Sequence, residues 1–223
     1  MIDKEILKKI NQFSYTQAKK ENQRPNRSGS IIKREPIQVY FDTMMGKLAE
    51  FYVIKNIKEL GFISTELDLE IYDRGKWDNY DIKIFKDKLE KIIQVKCIKS
   101  FSKYLLLETD EYSDLTNSKS DFIFSVKCNF TESKCKNAIE TNFNEGKFEI
   151  LERIVLYCID LKLEIYGFID QSIYQKGKEE KQLFFKGHKL GNSFLQVDNY
   201  HYDYDNNLLK NFKEFCTNWE SKC

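Results

Sequence analysis

The segment YDIKIFKDKLEKIIQVK, Tyr80–Lys96, constrains the fold more than any other part of the chain. Tyr80, Ile82 and Ile84 alternate with Asp81, Lys83 and Phe85. A polar break follows at Lys86-Asp87-Lys88, and Leu89 to Ile98 resumes as an apolar-rich run. Alternation on one side of a short break and an apolar run on the other is the pattern of a β-hairpin. With Asp87-Lys88 as a two-residue turn, positions whose numbers sum to 175 face each other, so Asp81 stands opposite Gln94. Lys96 lies two residues beyond Gln94 and projects from the same face. A carboxylate, a carboxamide oxygen and an ammonium are thereby drawn to one patch of an antiparallel pair.

The composition narrows what that patch can do. At 223 residues the chain has the length of one large domain. We expect an N-terminal helix and basic arm over residues 1–40 and a single domain over 41–223. The net charge of +1 comes from 36 basic and 35 acidic side chains, so nucleic-acid contacts have to be local and not a general basic surface. No run approaches a membrane span, and the amphipathic start MIDKEILKKINQF does not read as a signal peptide, so the expectation is a cytoplasmic protein with no membrane partner. The six cysteines contain no CxxC pair, and the two histidines, His188 and His201, have no zinc-ligand spacing to them. Zinc sites and histidine-dependent triads are therefore hard to assemble.

Along the chain, residues 2–13 carry a short helical pattern. The stretch from Thr16 to Pro36 is polar and basic, and suits either a solvated linker or an arm that contacts phosphates through Arg24, Arg27, Lys33 and Arg34. Asp42 is placed to cap a helix over Met44–Leu60, which Gly61 ends. On that helix Glu50 shares a face with Gly46, Val53, Ile54 and Ile57, where a carboxylate is costly unless it meets a cation, a donor or a metal. ELDLEIY, residues 66–72, alternates as a strand, and DFIFSV, 121–126, reads as a buried one. Ile150 to Ile173 reads as strands around ILERIVLYCID and LEIYGFI, and the tail ends in a helix containing Leu208, Leu209, Phe212, Phe215 and Trp219. The fold class is α/β, a mixed sheet with an antiparallel front hairpin flanked by helices.

The chemistry that uses a carboxylate on one strand and an X-x-Lys pair on its partner is metal-assisted phosphodiester hydrolysis. Mg²⁺ prefers oxygen ligands, keeps several waters and takes one or two carboxylates. Asp81 is the expected anionic ligand, Gln94 Oε1 a neutral one, and the backbone C=O of Val95 a third. Lys96 would orient the attacking water and stabilise charge in the transition state. Glu50 would bind the metal through water or accept a hydrogen bond from that water, and Asp78 is a candidate for the same outer position.

These residues resemble the PD-(D/E)XK nuclease superfamily, which includes many type II restriction endonucleases, Holliday-junction resolvases and Mrr-type restriction enzymes. The likeness consists of Glu50 on a helix, then Asp81, then twelve residues, then Gln94-Val95-Lys96, in a helix–strand–strand–strand order over about residues 44–98. Two positions depart from the family pattern. Gln94 stands where the acidic residue of (D/E)xK is usual, as in the QxK form of Mrr-like members, and Tyr80 stands in place of the proline. The resemblance implies a restriction-endonuclease-like core, Mg²⁺ dependence with Mn²⁺ as a substitute, and cleavage of DNA.

A restriction-type enzyme must also read bases, and cutting both strands of a symmetric site calls for a homodimer on double-stranded DNA. Candidate contacts are Lys99, Lys103, Asn117 and Lys119 after the catalytic strand, and Lys186 and His188 in a basic, aromatic loop. Each is also compatible with an ordinary solvated surface. A sequence-specific type II restriction enzyme is the reading favoured here. The alternatives are a structure-specific, homing or repair nuclease of the same fold, and a non-catalytic nucleic-acid-binding module.

Overall fold

The computed structural model describes residues 3–20, 34–71, 80–99, 104–108, 120–130, 135–158, 161–170, 183–184, 189–190, 193–194, 201–205, 211–215 and 219. Helix α1, Lys4–Lys19, starts where the Asp3 side chain accepts the Glu5 N–H at 3.0 Å, and it runs past the expected end at residue 13. Ile10, Asn11, Ser14 and Ala18 fall on its buried stripe at helical spacing.

Helix α2, Pro36–Glu59, begins earlier than the sequence pattern suggests. Glu35 and Gln38 form a reciprocal capping box with Pro36 in the first turn, and that outcompetes Asp42 as a start signal. Asp42 instead sits inside the helix and pairs with Arg34 at 3.0 Å. Gly61, with φ +84°, supplies the left-handed residue that ends the helix. Two different faces of α2 are buried. Ala49, Val53, Ile54 and Ile57 pack on the main sheet, while Val39, Tyr40, Met44 and Leu48 pack with α1 and two later helices. α2 is thus the wall shared by both apolar clusters.

The main sheet has five strands. They are β1 (Ile63–Ser64), β2 (Ile82–Lys86), β3 (Leu89–Lys99), β5 (Phe122–Phe130) and β6 (Leu161–Asp170), in that spatial order. The front hairpin pairs as its sequence requires, with Ile82 on Ile93 and Lys86 on Leu89. Asp87 and Lys88 both have positive φ, 51° and 68°, the twist of a type I′ turn. β5 runs parallel to β3, with Gln94 on Ile123, Lys96 on Ser125 and Cys97 on Val126. β6 returns antiparallel to β5, with a register shift between Ser125 and Val126. A smaller antiparallel sheet joins β4 (Tyr104–Glu108), β10 (His201–Asp205) and β7 (Leu183–Phe184), and β8 (Lys189–Leu190) pairs with β9 (Ser193–Phe194).

Among the described residues two expected strands are not formed, the first being ELDLEIY. Its described part, residues 66–71, forms none: Leu67 and Leu69 pack against the core, but the Asp68 carboxylate takes the Glu70 N–H at 2.8 Å, a local bond that competes with ladder pairing. The strand next to β2 is instead the two residues of β1. ILERIVLYC forms helix α4, Phe148–Cys158, after α3, Lys136–Asn144. Leu151 and Val155 are buried one turn apart while Ile150 and Tyr157 are exposed, so the apolar run follows a helical period. The strand over LEIYGFI is present as β6, and Phe215 and Trp219 of the tail are buried in the main core. Among the described residues no helix is long and apolar enough to cross a membrane.

Candidate active site

The site is built at the open end of the β2–β3 hairpin. Asp81 immediately precedes β2, and its Oδ2 accepts the Val95 N–H at 2.6 Å. A strand N–H lies in the plane of its sheet, so the carboxylate that receives it is held near that plane. Strand alternation divides the neighbouring residues. Ile93 and Val95 face α2 and belong to its core cluster, while Gln94 and Lys96 project from the other face. Asp81 therefore occupies the hairpin edge, where it can interact with groups on both sides.

On the α2 side that group is Glu50. It is only 8% exposed, and Lys47 one turn earlier bonds its Oε2 at 2.7 Å. Burial pushes the Glu50 carboxyl up to about 8, and the nearby negative charge of Asp81 and, more weakly, Asp68 pushes the same way, outweighing Lys47. An acid this strongly destabilised as an anion is a group prepared for a cation or a proton. Glu50 and Asp81 stand out in the sequence pattern, whereas Lys47 and Asp68 join the site only in the structure. The three-residue spacing of Lys47 and Glu50 was a readable signal. Nothing local announced Asp68, because it acts from a segment that the alternation assigned to a strand.

On the other face, Gln94 Oε1 is buried and has no hydrogen-bond donor. A buried carbonyl oxygen without a partner costs about 1–3 kcal/mol, so this atom is available to a ligand. Lys96 is half-buried two residues along, and its register neighbour on β5 is Ser125, a fully buried serine that the sequence pattern did not single out. The structure thus brings Asp81 to the Val95 amide and into electrostatic contact with Glu50, and it aligns Gln94 and Lys96 on one strand face. Glu50 and the Gln94–Lys96 pair lie on opposite sides of β3, with Asp81 between them.

Among the described residues no set of three or more His, Cys, Asp or Glu side chains stands close enough to hold a metal ion. The oxygen-bearing groups around Asp81 are its own carboxylate, the Val95 carbonyl and the Gln94 amide, with the Glu50 carboxyl on the opposite side of β3. That set suits a hard, hydrated cation such as Mg²⁺, which takes one or two carboxylates and fills its remaining positions with water. It does not suit zinc, since among the described residues Cys97, Cys128 and Cys135 stand outside any such cluster.

Of the proposed DNA contacts, Arg34 is described and is engaged with Asp42 at 3.0 Å. Lys99 ends β3, with only its backbone described. Arg24, Arg27, Lys33, Lys103, Asn117, Lys119, Lys186 and His188 lie outside the described residues, as does Asp78, the alternative to Glu50. No family model, no curated protein and no solved structure matches the chain.

Proposed function

We propose that this protein is a Mg²⁺-dependent endonuclease that hydrolyses phosphodiester bonds in double-stranded DNA, most simply a sequence-specific enzyme of the type II restriction kind acting as a homodimer. The observation that carries the reading is the geometry at the hairpin mouth. Asp81 is pinned on the Val95 amide beside a buried, charge-frustrated Glu50, and an unsatisfied Gln94 Oε1 and Lys96 share one face of the same strand. The chain order supports it too: helix α2 followed by antiparallel β1–β2–β3 has the helix–strand–strand–strand order expected of a restriction-endonuclease-like core.

In this reading Asp81, Gln94 and the Val95 carbonyl would hold the metal, with Glu50 accepting a hydrogen bond from its water. When bound, Mg²⁺ supplies Lewis-acid polarisation of the scissile phosphate. Lys96 orients the attacking water and places positive charge where the transition state accumulates negative charge. The Val95 N–H keeps the Asp81 carboxylate in one orientation, which lowers the cost of ordering it at the moment of reaction.

A second reading has an observation of its own. The Lys47–Glu50 ion pair and the lack of a three-acid cluster among the described residues favour a non-catalytic nucleic-acid-binding module. Incubation of purified protein with supercoiled and linear plasmid in Mg²⁺ or Mn²⁺ separates the two. Discrete fragments sustain the restriction reading, and cleavage confined to branched junctions moves it to a structure-specific nuclease. Binding without cleavage in either metal leaves the module.

A further inference from the structure

We propose that Ser125 is a positioning residue for Lys96, whose ammonium its hydroxyl receives during phosphodiester hydrolysis; the proposal rests on the nuclease reading. Three observations support it. The parallel pairing of β3 and β5 puts Ser125 directly beside Lys96, and paired residues on adjacent strands lie about 5 Å apart with side chains on the same face. Ser125 is fully buried, yet its Oγ has no hydrogen-bond partner. A hydroxyl in that state has unused acceptor capacity and a free donor, which is costly in a core unless a partner is present during function. Finally, Ser125 stands at the point where the β5–β6 ladder changes register, with Gly167 as its neighbour on β6. Such irregularities re-aim side chains and recur beside active sites, and a glycine neighbour contributes no side chain to compete for the hydroxyl.

The position also explains why serine is useful there. The flanking β5 residues Ile123, Phe124 and Val126 are all buried and apolar, so a purely structural demand at 125 would be met by alanine or valine without an unsatisfied oxygen. Lys96 has three N–H donors and a flexible stem. An acceptor beneath it would restrict that stem and leave the remaining donors for the phosphate and water. Ser125 then acts through Lys96 and does not touch the DNA.

The test uses the full chain with plasmid substrate in Mg²⁺, comparing Ser125→Ala, Ser125→Cys and Ser125→Thr, with melting temperature as the folding control. Loss of a hydrogen bond to a charged group predicts about a tenfold to hundredfold fall in kcat for the alanine and cysteine variants, with KM unchanged. The threonine variant, which keeps the hydroxyl, should recover most of the rate. In a Lys96→Arg background, adding Ser125→Ala should cost less than about twofold, because residues that act through one another are not additive. A Ser125→Ala enzyme with wild-type kcat overturns the assignment while leaving the nuclease reading intact. Recovery of rate and melting temperature together by cysteine would overturn it in favour of simple packing. A wild-type protein that cuts no DNA overturns the nuclease reading, and this assignment with it.

Discussion

Two aspartates occupy matching places on the two flanks of β3. Asp81 comes just before β2 and accepts the Val95 N–H at 2.6 Å; Asp121 comes just before β5 and accepts the Ile92 N–H at 2.8 Å. Both are half-buried, and both tie the start of a strand to the central one. Asp121 also donates its own N–H to the Ile92 carbonyl at 2.8 Å, closing a reciprocal pair within the sheet. Asp81 lies where its charge raises the proton affinity of Glu50, and where Gln94 and Lys96 project from the facing strand. One backbone device therefore serves two ends. At Asp121 it fastens a parallel strand pair, and at Asp81 it orients a carboxylate that is in electrostatic contact with a second acid.

The two aspartates should differ most in turnover. If the nuclease reading holds, Asp81→Ala removes its anionic metal ligand and should reduce plasmid cleavage by at least about a thousandfold, whereas Asp121→Ala should stay within a few-fold of wild type when assayed well below its melting temperature. Equal losses in the two variants would mean that both aspartates are structural. Lys96→Ala is expected to lower kcat by about a hundredfold to ten-thousandfold while leaving DNA affinity, measured in Ca²⁺ by gel shift, nearly unchanged. A matching loss of affinity would move Lys96 from the reaction to DNA binding.

The contact of Asp81 with Glu50 should show in the pH dependence of stability. Its folded carboxyl titrates near 8 against an ordinary 4.5, so between those values the folded chain holds a proton that the unfolded chain has released. Stability contributed by this group is present below the unfolded value and lost as pH rises through the folded one. In metal-free buffer the cost should reach the order of 3–5 kcal/mol above pH 9. Glu50→Gln should match wild type near pH 5 and melt at higher temperature near pH 9. Adding Mg²⁺ should close much of that gap for wild type alone, and EDTA should reopen it. A Glu50→Gln protein with the same pH profile as wild type would show that neither burial nor the charge of Asp81 raises the Glu50 carboxyl.

The smallest expected effect returns to Asp121. Asp121→Ala leaves the Ile92 N–H without its charged acceptor, and should cost about 1.5–3 kcal/mol, or roughly 3–10 °C of melting temperature for a chain of this size. Asp121→Asn keeps an acceptor and should recover about half of the loss.

Much of the front hairpin was legible because its rules are local. A two-residue turn fixes register, and register fixes which of Asp81, Gln94 and Lys96 share a face. The errors arose where a local pattern had two solutions. ILERIVLYC is apolar enough for a buried strand, and its helical period shows only once Leu151 and Val155 are seen to be inward and Tyr157 outward. ELDLEIY alternates like a strand, but Asp68 gives its backbone a different partner. Asp42 resembled a cap until the stronger signal at Glu35, Pro36 and Gln38 started the helix earlier.

Turn and helix geometry act over a few residues, so the hairpin, the C-terminal end of α2 at Gly61 and the types of side chain that meet at the hairpin mouth follow from local sequence. The burial of Glu50 against the charge of Asp81, and the register that sets Lys96 beside Ser125, arise only when the chain packs. Both depend on contacts between segments some thirty residues apart in the chain, and no local periodicity encodes the parallel registration of β5 on β3.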